Sequence, residues 1–216
     1  MDKGLLGRTR IFAAMSEREL DDALGYLFAR EAAYRKGQQL ISIGDPIGDF
    51  AVVESGAVQV SSYDINGNRM IMNTVTRGKT FAESLAVTGT EESPICAQAL
   101  EDTRVVWLRA EPIRRNIGDT PLHAKIIANF IGEIAHKCLG MNERIQILSK
   151  RTIREKVITY LSQLSETSRR AEFTIPFDRQ DLASYLGVER SALSRELSRM
   201  ARDGLISFRK NTFRIL

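Results

Sequence analysis

Between residues 121 and 148, apolar side chains recur at Ala124, Ile127, Ile131, Ile134, Cys138, Met141, Ile145 and Leu148, with spacings that alternate strictly between three and four. An a/d seam unbroken over more than three heptads has the period of a coiled coil. The chain must therefore hold one long helix whose stripe calls for a second helix, with the other elements placed before or after it. β-branched residues dominate the first half of the seam, as a parallel two-stranded coil tolerates. Ile127, Ile131, Ile134, Cys138, Met141 and Ile145 are thus the candidate interface of a homodimer. A helix lying on its own domain can show a similar stripe, but the strict 3.5 period favours the dimer. Ile126 and Phe130 fall off the seam and are expected to pack back on the preceding residues. Cys138 reads as a small core residue rather than a redox centre.

Residues 1–31 read as helical. Ser16 and Glu19 have the spacing of a capping box, Met15 and Leu20 that of a hydrophobic staple, and Leu20, Ala23, Leu24, Leu27 and Phe28 share one face. From about 32 to 108 the period changes to two, with glycines as punctuation. Strands are expected at 34–41, 50–56, 57–63, 69–75 and 103–108, with a hairpin turn at Asn66-Gly67-Asn68. Short strands separated by turns at close intervals imply an antiparallel roll. A short helical turn over 78–86 interrupts them. Its amino end offers amides to an anionic ligand, and Glu83 is the nearest charged residue.

Beyond the seam, 149–151 marks a hinge. Thr152 and Glu155 form a second capping box, for a helix with Val157, Ile158, Leu161 and Leu164 inward. A polar connection over 165–172 and a short strand over 173–176 follow. Over 177–206, Asp178 can cap a short helix carrying Leu182, Ala183 and Leu186, and Gly187 ends it. A second helix follows with Leu193, Leu197 and Met200 inward, which makes a helix-turn-helix. Its outward residues are Arg190, Ser191, Ser194, Arg195 and Ser198, then Arg199 and Arg202. Arginine can grip guanine O6 and N7, and serine can donate to or accept from base edges. Residues 205–216 read as two strands around the polar turn 209–212, a wing with Arg209 and Lys210 at its tip. The alternative for the second helix is an ordinary solvated amphipathic face. The preceding short helix, the glycine turn and the following hairpin favour a winged helix bound to double-stranded DNA.

Charge is distributed to match. Residues 149–216 hold 14 Lys+Arg against 8 Asp+Glu, net +6, while 1–148 hold 17 against 19, net −2. The basic excess thus sits with the helix-turn-helix, as a phosphate partner requires and a membrane surface does not. No apolar run is long enough to span a bilayer and the charged amino terminus is unlike a signal peptide, so the cytoplasm is the expected location. The two cysteines cannot supply a four-cysteine iron–sulfur cluster from one chain, and two histidines complete no metal set. No nucleophile–base pair argues for an enzyme.

This order of parts resembles the cyclic AMP receptor protein/FNR (CRP/FNR) family of bacterial transcription regulators over nearly the whole chain. The resemblance is strongest at Asp178-Arg179-Gln180-Asp181-Leu182-Ala183, Leu186-Gly187-Val188, Arg190-Ser191-Ala192-Leu193-Ser194-Arg195 and Asp203-Gly204-Leu205-Ile206, and it extends to Gly37, Gly44-Asp45, Gly56 and Gly78. It implies an α+β fold: an antiparallel β-roll of the cyclic-nucleotide-binding kind (1–118), a long dimerisation helix (119–148) and a winged helix-turn-helix (149–216). It further implies a homodimer on a palindromic operator, a small-molecule effector in the roll, and RNA polymerase as a further partner. By position, Arg190, Ser191 and Arg195 match base-contacting residues and Ser194 matches the FNR branch; Arg199 and Lys210 complete the expected DNA-binding set. Phe81, Glu83, Ser84, Ser93 and Ile95 are the expected effector pocket. Cyclic-nucleotide binders carry Gly-Glu and then Arg-Ser or Arg-Thr; here the matching positions read Ala82-Glu83 and Ser93-Pro94. Glu83 keeps a possible ribose contact, but no arginine meets a phosphate, so cyclic AMP is not expected. The amino-terminal cysteine cluster of the FNR branch is absent as well. The rival reading is a ligand-binding module that regulates a protein partner.

Overall fold

In the computed structural model, which describes residues 1–115, 120–168 and 172–216, the chain begins with three short helical pieces. They stand in the stretch 1–31 that was expected to be helical. Helix α1 (Lys3–Leu6), a 3-10 turn (Arg10–Phe12) and α2 (Glu17–Tyr26) are separate, and Ala14 and Phe28 take φ of 57° and 48°. No helix continues through such residues, and β1 (Arg30–Tyr34) has begun before residue 31. The capping box is present: Ser16 Oγ accepts from the Glu19 amide at 3.3 Å, and Glu19 Oε2 accepts from the Ser16 amide at 2.7 Å. Leu20, Ala23 and Leu24 are the buried face of α2.

The roll consists of β1, β2 (Gln39–Ile41), β3 (Asp49–Ser55), β4 (Ala57–Tyr63), β5 (Arg69–Thr76), β6 (Thr80–Phe81), β7 (Cys96–Ala99) and β8 (Thr103–Arg109). They form two four-stranded sheets, ordered β1-β8-β3-β6 and β2-β7-β4-β5, antiparallel wherever a register is defined. Central strand β3 is buried on both faces from Phe50 to Glu54, which is why it reads as an apolar run without alternation. Phe81 packs edge-on against Trp107, centroids 5.6 Å apart. The stretch 78–86 is only partly the helical turn expected of it. It enters as β6 and then becomes α3 (Glu83–Thr88). At Gly56, with φ of 81°, a Cβ would lie 2.6 Å from the Asp102 carbonyl oxygen, so the β3–β4 turn needs a residue without a side chain.

After α4 (Glu111–Arg114) comes the long helix α5 (Pro121–Leu148). The domain boundary expected at 118/119 lies outside the described residues. His123, Ile126, Phe130 and Glu133 are the buried positions of its first half, and Phe130 meets Phe50 edge-on at 5.7 Å. The seam points elsewhere: Ile131, Met141 and Ile145 are each at least 60% exposed, Cys138 is exposed, and Ile127 and Ile134 are half-buried.

The chain divides into two compact units, Met1–Tyr63 with Met72–Lys137, and Asp64–Ile71 with Cys138–Leu216. In the second, α6 (Ile153–Ser168) starts at the expected capping box, with the Thr152 amide donating to Glu155 Oε2 at 3.0 Å. It runs four residues past Leu164, into the stretch expected to be a polar connection; 169–171 lie outside the described residues. Then follow β9 (Glu172–Thr174), α7 (Arg179–Leu186), α8 (Arg190–Arg202), β10 (Ile206–Arg209) and β11 (Thr212–Ile215), the strands in the order β10-β11-β9. Ile147, Val157, Leu161, Leu182, Leu193, Leu197 and Phe213 are at most 1% exposed in its core. Ile71, from the β4–β5 hairpin, is buried among them. Tyr160, not expected inside, is buried there too, which pushes its hydroxyl pKa up.

Two outcomes follow for stability. Gly44 also has positive φ, 85°, but nothing lies within 4 Å of its missing Cβ. Gly44→Ala should cost about 1–2 kcal/mol, and Gly56→Ala at least about 2 kcal/mol more because backbone must move; urea midpoints of the two variants will show the difference. Glu19 has its pKa lowered from 4.5 to about 2, chiefly by the Ser16 amide and then by Lys125. A carboxyl depressed on folding stabilises the fold above its unfolded value and loses that contribution as pH falls through the folded one. Between pH 4.5 and 2, Glu19→Gln should therefore lose stability less steeply than the wild-type chain in acid-dependent melts.

Candidate nucleic-acid interface and sensing site

Helix α7 starts where an acceptor is available for its orphan amides: Asp178 Oδ1 accepts from the Asp181 amide at 2.8 Å. It stops at Gly187, whose φ of 61° and ψ of 49° turn the chain, while the Val188 amide reaches back to the Ala183 carbonyl at 3.0 Å. The cap of α8 was not foreseen. Glu189 accepts from the amides of Ser191 at 2.8 Å and Ala192 at 2.7 Å, and from the Ser191 hydroxyl. Those bonds, the Ser191 hydroxyl foremost, hold its pKa down at about 2. An acid just ahead of a predicted helix start was the available signal.

Leu193, Leu197 and Met200 face inward with no exposed surface. Arg190, Ser191, Arg195 and Arg199 are exposed, and Ser194 is half-buried. The serine protons are committed. Ser191 Oγ donates to Glu189, Ser194 Oγ to the Arg190 carbonyl at 3.0 Å and Ser198 Oγ to the Ser194 carbonyl at 3.0 Å. What Ser191 and Ser194 offer outward is lone pairs, suited to the amino groups of adenine N6 or cytosine N4. Arg199 sits 3.7 Å from Glu196, which also accepts from Arg154 Nε at 2.6 Å. Arg190 and Arg195 make no ion pair among the described residues.

The wing turns at Lys210, φ 55°, the left-handed conformation a tight hairpin needs. Arg179 from the start of α7 donates to the Lys210 carbonyl at 3.1 Å, with its guanidinium 5.2 Å from the Phe208 ring centre. Desolvation there lowers the Arg179 pKa. The backbone at Lys210 is thus held in place while its side chain stays exposed.

In the roll, the expected effector residues are in different circumstances. Phe81 and Ile95 are buried, and Ser84 is exposed. Ser93 is buried, and its hydroxyl donates to the Ile95 carbonyl at 2.7 Å and accepts from the Ile95 amide at 3.2 Å. Glu83 is buried, not a surface carboxylate, and Lys137 of α5 donates to its Oε1 at 2.5 Å. Lys137 also donates to the Thr80 carbonyl at 2.6 Å and stands 3.9 Å from Glu133, whose Oε1 accepts from Thr80 Oγ1 at 2.7 Å. One Glu83 oxygen is thus already occupied. Ala82 takes φ of 68°, which favours the glycine of the Gly-Glu pattern. Among the described residues no group of three or more His, Cys, Asp or Glu could hold a metal ion.

The cyclic nucleotide-binding domain family matches residues 31–118 and the Crp-like helix-turn-helix domain family matches 155–216. The transcriptional activator protein anr of Pseudomonas aeruginosa is 29% identical over 194 residues, 86% of this chain and 76% of its own length. The fumarate and nitrate reduction regulatory protein of Vibrio cholerae is 28% identical over 207 residues, 94% of this chain and 80% of its own. FixK2 of Bradyrhizobium japonicum superposes with a TM-score of 0.64 at 24% identity, covering 87% of this chain and 92% of its own. The c-di-GMP responsive regulator CLP of Xanthomonas campestris does so with 0.75 at 16%, covering 93% and 99%. These two carry the fold. The names of these curated relatives are those of transcriptional regulators. With a cyclic-nucleotide-binding-like roll before the long helix and a Crp-like helix-turn-helix after it, the chain belongs to the CRP/FNR family of DNA-binding transcription regulators.

Proposed function

We propose that this regulator acts as a homodimer, paired along the α5 seam, on a two-fold operator in the cytoplasm, with RNA polymerase as a further partner. The observation that carries the DNA reading is the outer row of α8: Arg190 and Arg195 as free donors beside Ser191 and Ser194 as acceptors. A helix entering the major groove with its first turns would read bases with these four, and Lys210 and Arg199 would meet phosphate. The three-part division at 118/119 and 148/149 goes with it: a roll that senses, a helix that pairs, a winged helix that binds. Among the described residues no helix is long and apolar enough to cross a membrane.

The roll's ligand is, in this reading, a small molecule other than a cyclic nucleotide. Support comes from Lys137, which occupies Glu83, and from Ser93, whose hydroxyl is used locally. An iron–sulfur cluster does not fit either. The chain has two cysteines against four thiolates required, and buried Cys96 has Sγ 3.2 Å from Ser61 Oγ.

Operator selection from a random duplex pool tests the DNA reading, and the expected product is a palindrome with half-sites one helical turn apart. On it, Arg195→Ala should lose roughly 1–3 kcal/mol of base preference at a single position of each half-site. Uniform weakening on all sequences would instead make Arg195 a phosphate contact, and failure to select any palindrome would turn the reading toward a protein partner. Ile131→Glu with Ile145→Glu places charges on the exposed seam. Sedimentation should show a monomer that no longer binds the two half-sites cooperatively. An unchanged dimer would exclude the seam as the interface.

A further inference from the structure

One cavity of the roll unit adjoins the Thr80–Glu133 hydrogen bond described above. It measures about 270 Å³, and Arg8, Arg10, Lys79, Thr80 and Glu133 are among the residues that line it. The three cations are exposed, and none has an ion-pair partner among the described residues. Neighbouring basic groups are already matched: Lys3 with Asp21, Arg77 with Asp2, and Lys125 with Glu19. Three positive heads lining one concavity, of which Arg8 also feels the Asp2 carboxylate, make a local field that draws anions. The backbone amides of the turn are in use, since the Gly78 amide donates to Val53 and the Lys79 amide to Thr76. An anion would therefore be held by side chains.

Glu133 gives the cavity a second chemistry. Its side chain is 8% exposed, and its Oε1 accepts from Thr80 Oγ1 at 2.7 Å. A carboxylate beside a cationic rim suits a ligand that is anionic at one end and carries a hydroxyl at the other. The volume lies just under the roughly 300–1,000 Å³ of drug-sized pockets, which admits a compound of a few carbons and excludes a dinucleotide.

We propose that this cavity is a binding site for a small hydroxylated phosphate monoester, with Arg8, Arg10 and Lys79 on the phosphate and Glu133 on the hydroxyl. The proposal rests on the reading of the roll as the sensing domain and gives it a ligand class. Guanidinium groups pair with phosphate oxygens in parallel hydrogen bonds, and the ammonium adds a point charge. Glu133 is also the link to the rest of the roll. It lies on α5 in the network that joins Lys137, Thr80 and Glu83, so a hydroxyl donated to it competes for the acceptor that Thr80 now uses. The site is separate from the expected pocket residues Ser84, Ser93 and Ile95, none of which lines it.

Calorimetric titration of the full chain with glycerol 3-phosphate decides the matter, with inorganic phosphate, sulfate and glycerol as comparison probes. The expected result is saturable binding of one glycerol 3-phosphate per chain, tighter than inorganic phosphate, with sulfate weaker and glycerol inert. Arg10→Ala with Lys79→Ala should weaken it at least tenfold, and both side chains are exposed, so the variant should melt like the wild type. Glu133→Gln should abolish the preference for glycerol 3-phosphate over inorganic phosphate while leaving phosphate binding intact. Equal affinity in the Arg10/Lys79 variant, or binding no tighter than sulfate, overturns the site. Operator binding by the same variants without any probe is read separately. Its loss in the wild type would sink the regulator reading and leave the titration standing, whereas a failed titration with intact operator binding removes the site alone.

Discussion

A carboxylate held at 3% exposure must be matched by a cation, and Lys137 is what matches Glu83. Left alone, a buried charge costs several kcal/mol, and removing one partner of such a pair is worse than never having built it. The lysine also donates to the Thr80 carbonyl and stands near Glu133 one turn back. That cluster pins α5 to β6 and α3, together with Ile126 and Phe130 on the same face. The helix then has no rotational freedom left. His123, Ile126, Phe130, Glu133 and Lys137 follow the same three-four spacing as the seam, one residue out of step. One residue is about 100° around a helix of 3.6 residues per turn. Fixing the first stripe on the roll turns Ile131 outward, which is where it is found.

This double stripe also shows what could be read from residues and what could not. The apolar seam was legible because its period survives without knowledge of the surroundings, and α5 spans the whole of it. The inner stripe was only half legible. Ile126 and Phe130 were recognisable as apolar residues off the seam, but Glu133 and Lys137 carry no apolar signal that would place them inside. Glu133 preceding Lys137 by four on a helix was a signal for mutual support. Nothing local, however, says that a partner 54 residues earlier draws them inside.

The same division holds elsewhere. The capping boxes at Ser16 and Thr152, the Asp178 cap, the Gly187 stop and the wing hairpin are local arrangements, and all are present. The two-residue strand β6 and the four-residue β7 are too short to show a period, and they exist because β3, β2 and β4 supply their hydrogen bonds. The amino-terminal stretch failed for a different reason: its apolar periodicity suits a helix, but Ala14 and Phe28 adopt left-handed conformations that composition does not announce. For the site, the residue types on α8 were legible and the proton positions were not. A serine in a sequence is both donor and acceptor, and only the carbonyl or carboxylate beside it decides which role remains.

That decision bears on how α8 meets DNA. A bare helix start attracts phosphate through its orphan amides and dipole. Here Glu189 occupies two of those amides with a carboxylate kept ionised down to about pH 2. The local anion attraction is thereby cancelled. Phosphate binding near this end would then fall to side chains such as Lys210, on the wing that Arg179 steadies. A helix start that repels backbone phosphate but offers serine lone pairs is poorly suited to lie against the sugar-phosphate ridge. It is well suited to point into the groove between ridges, where exocyclic amino groups are the donors it can accept from. In this regulator the negative cap is therefore part of what would orient α8 toward base edges.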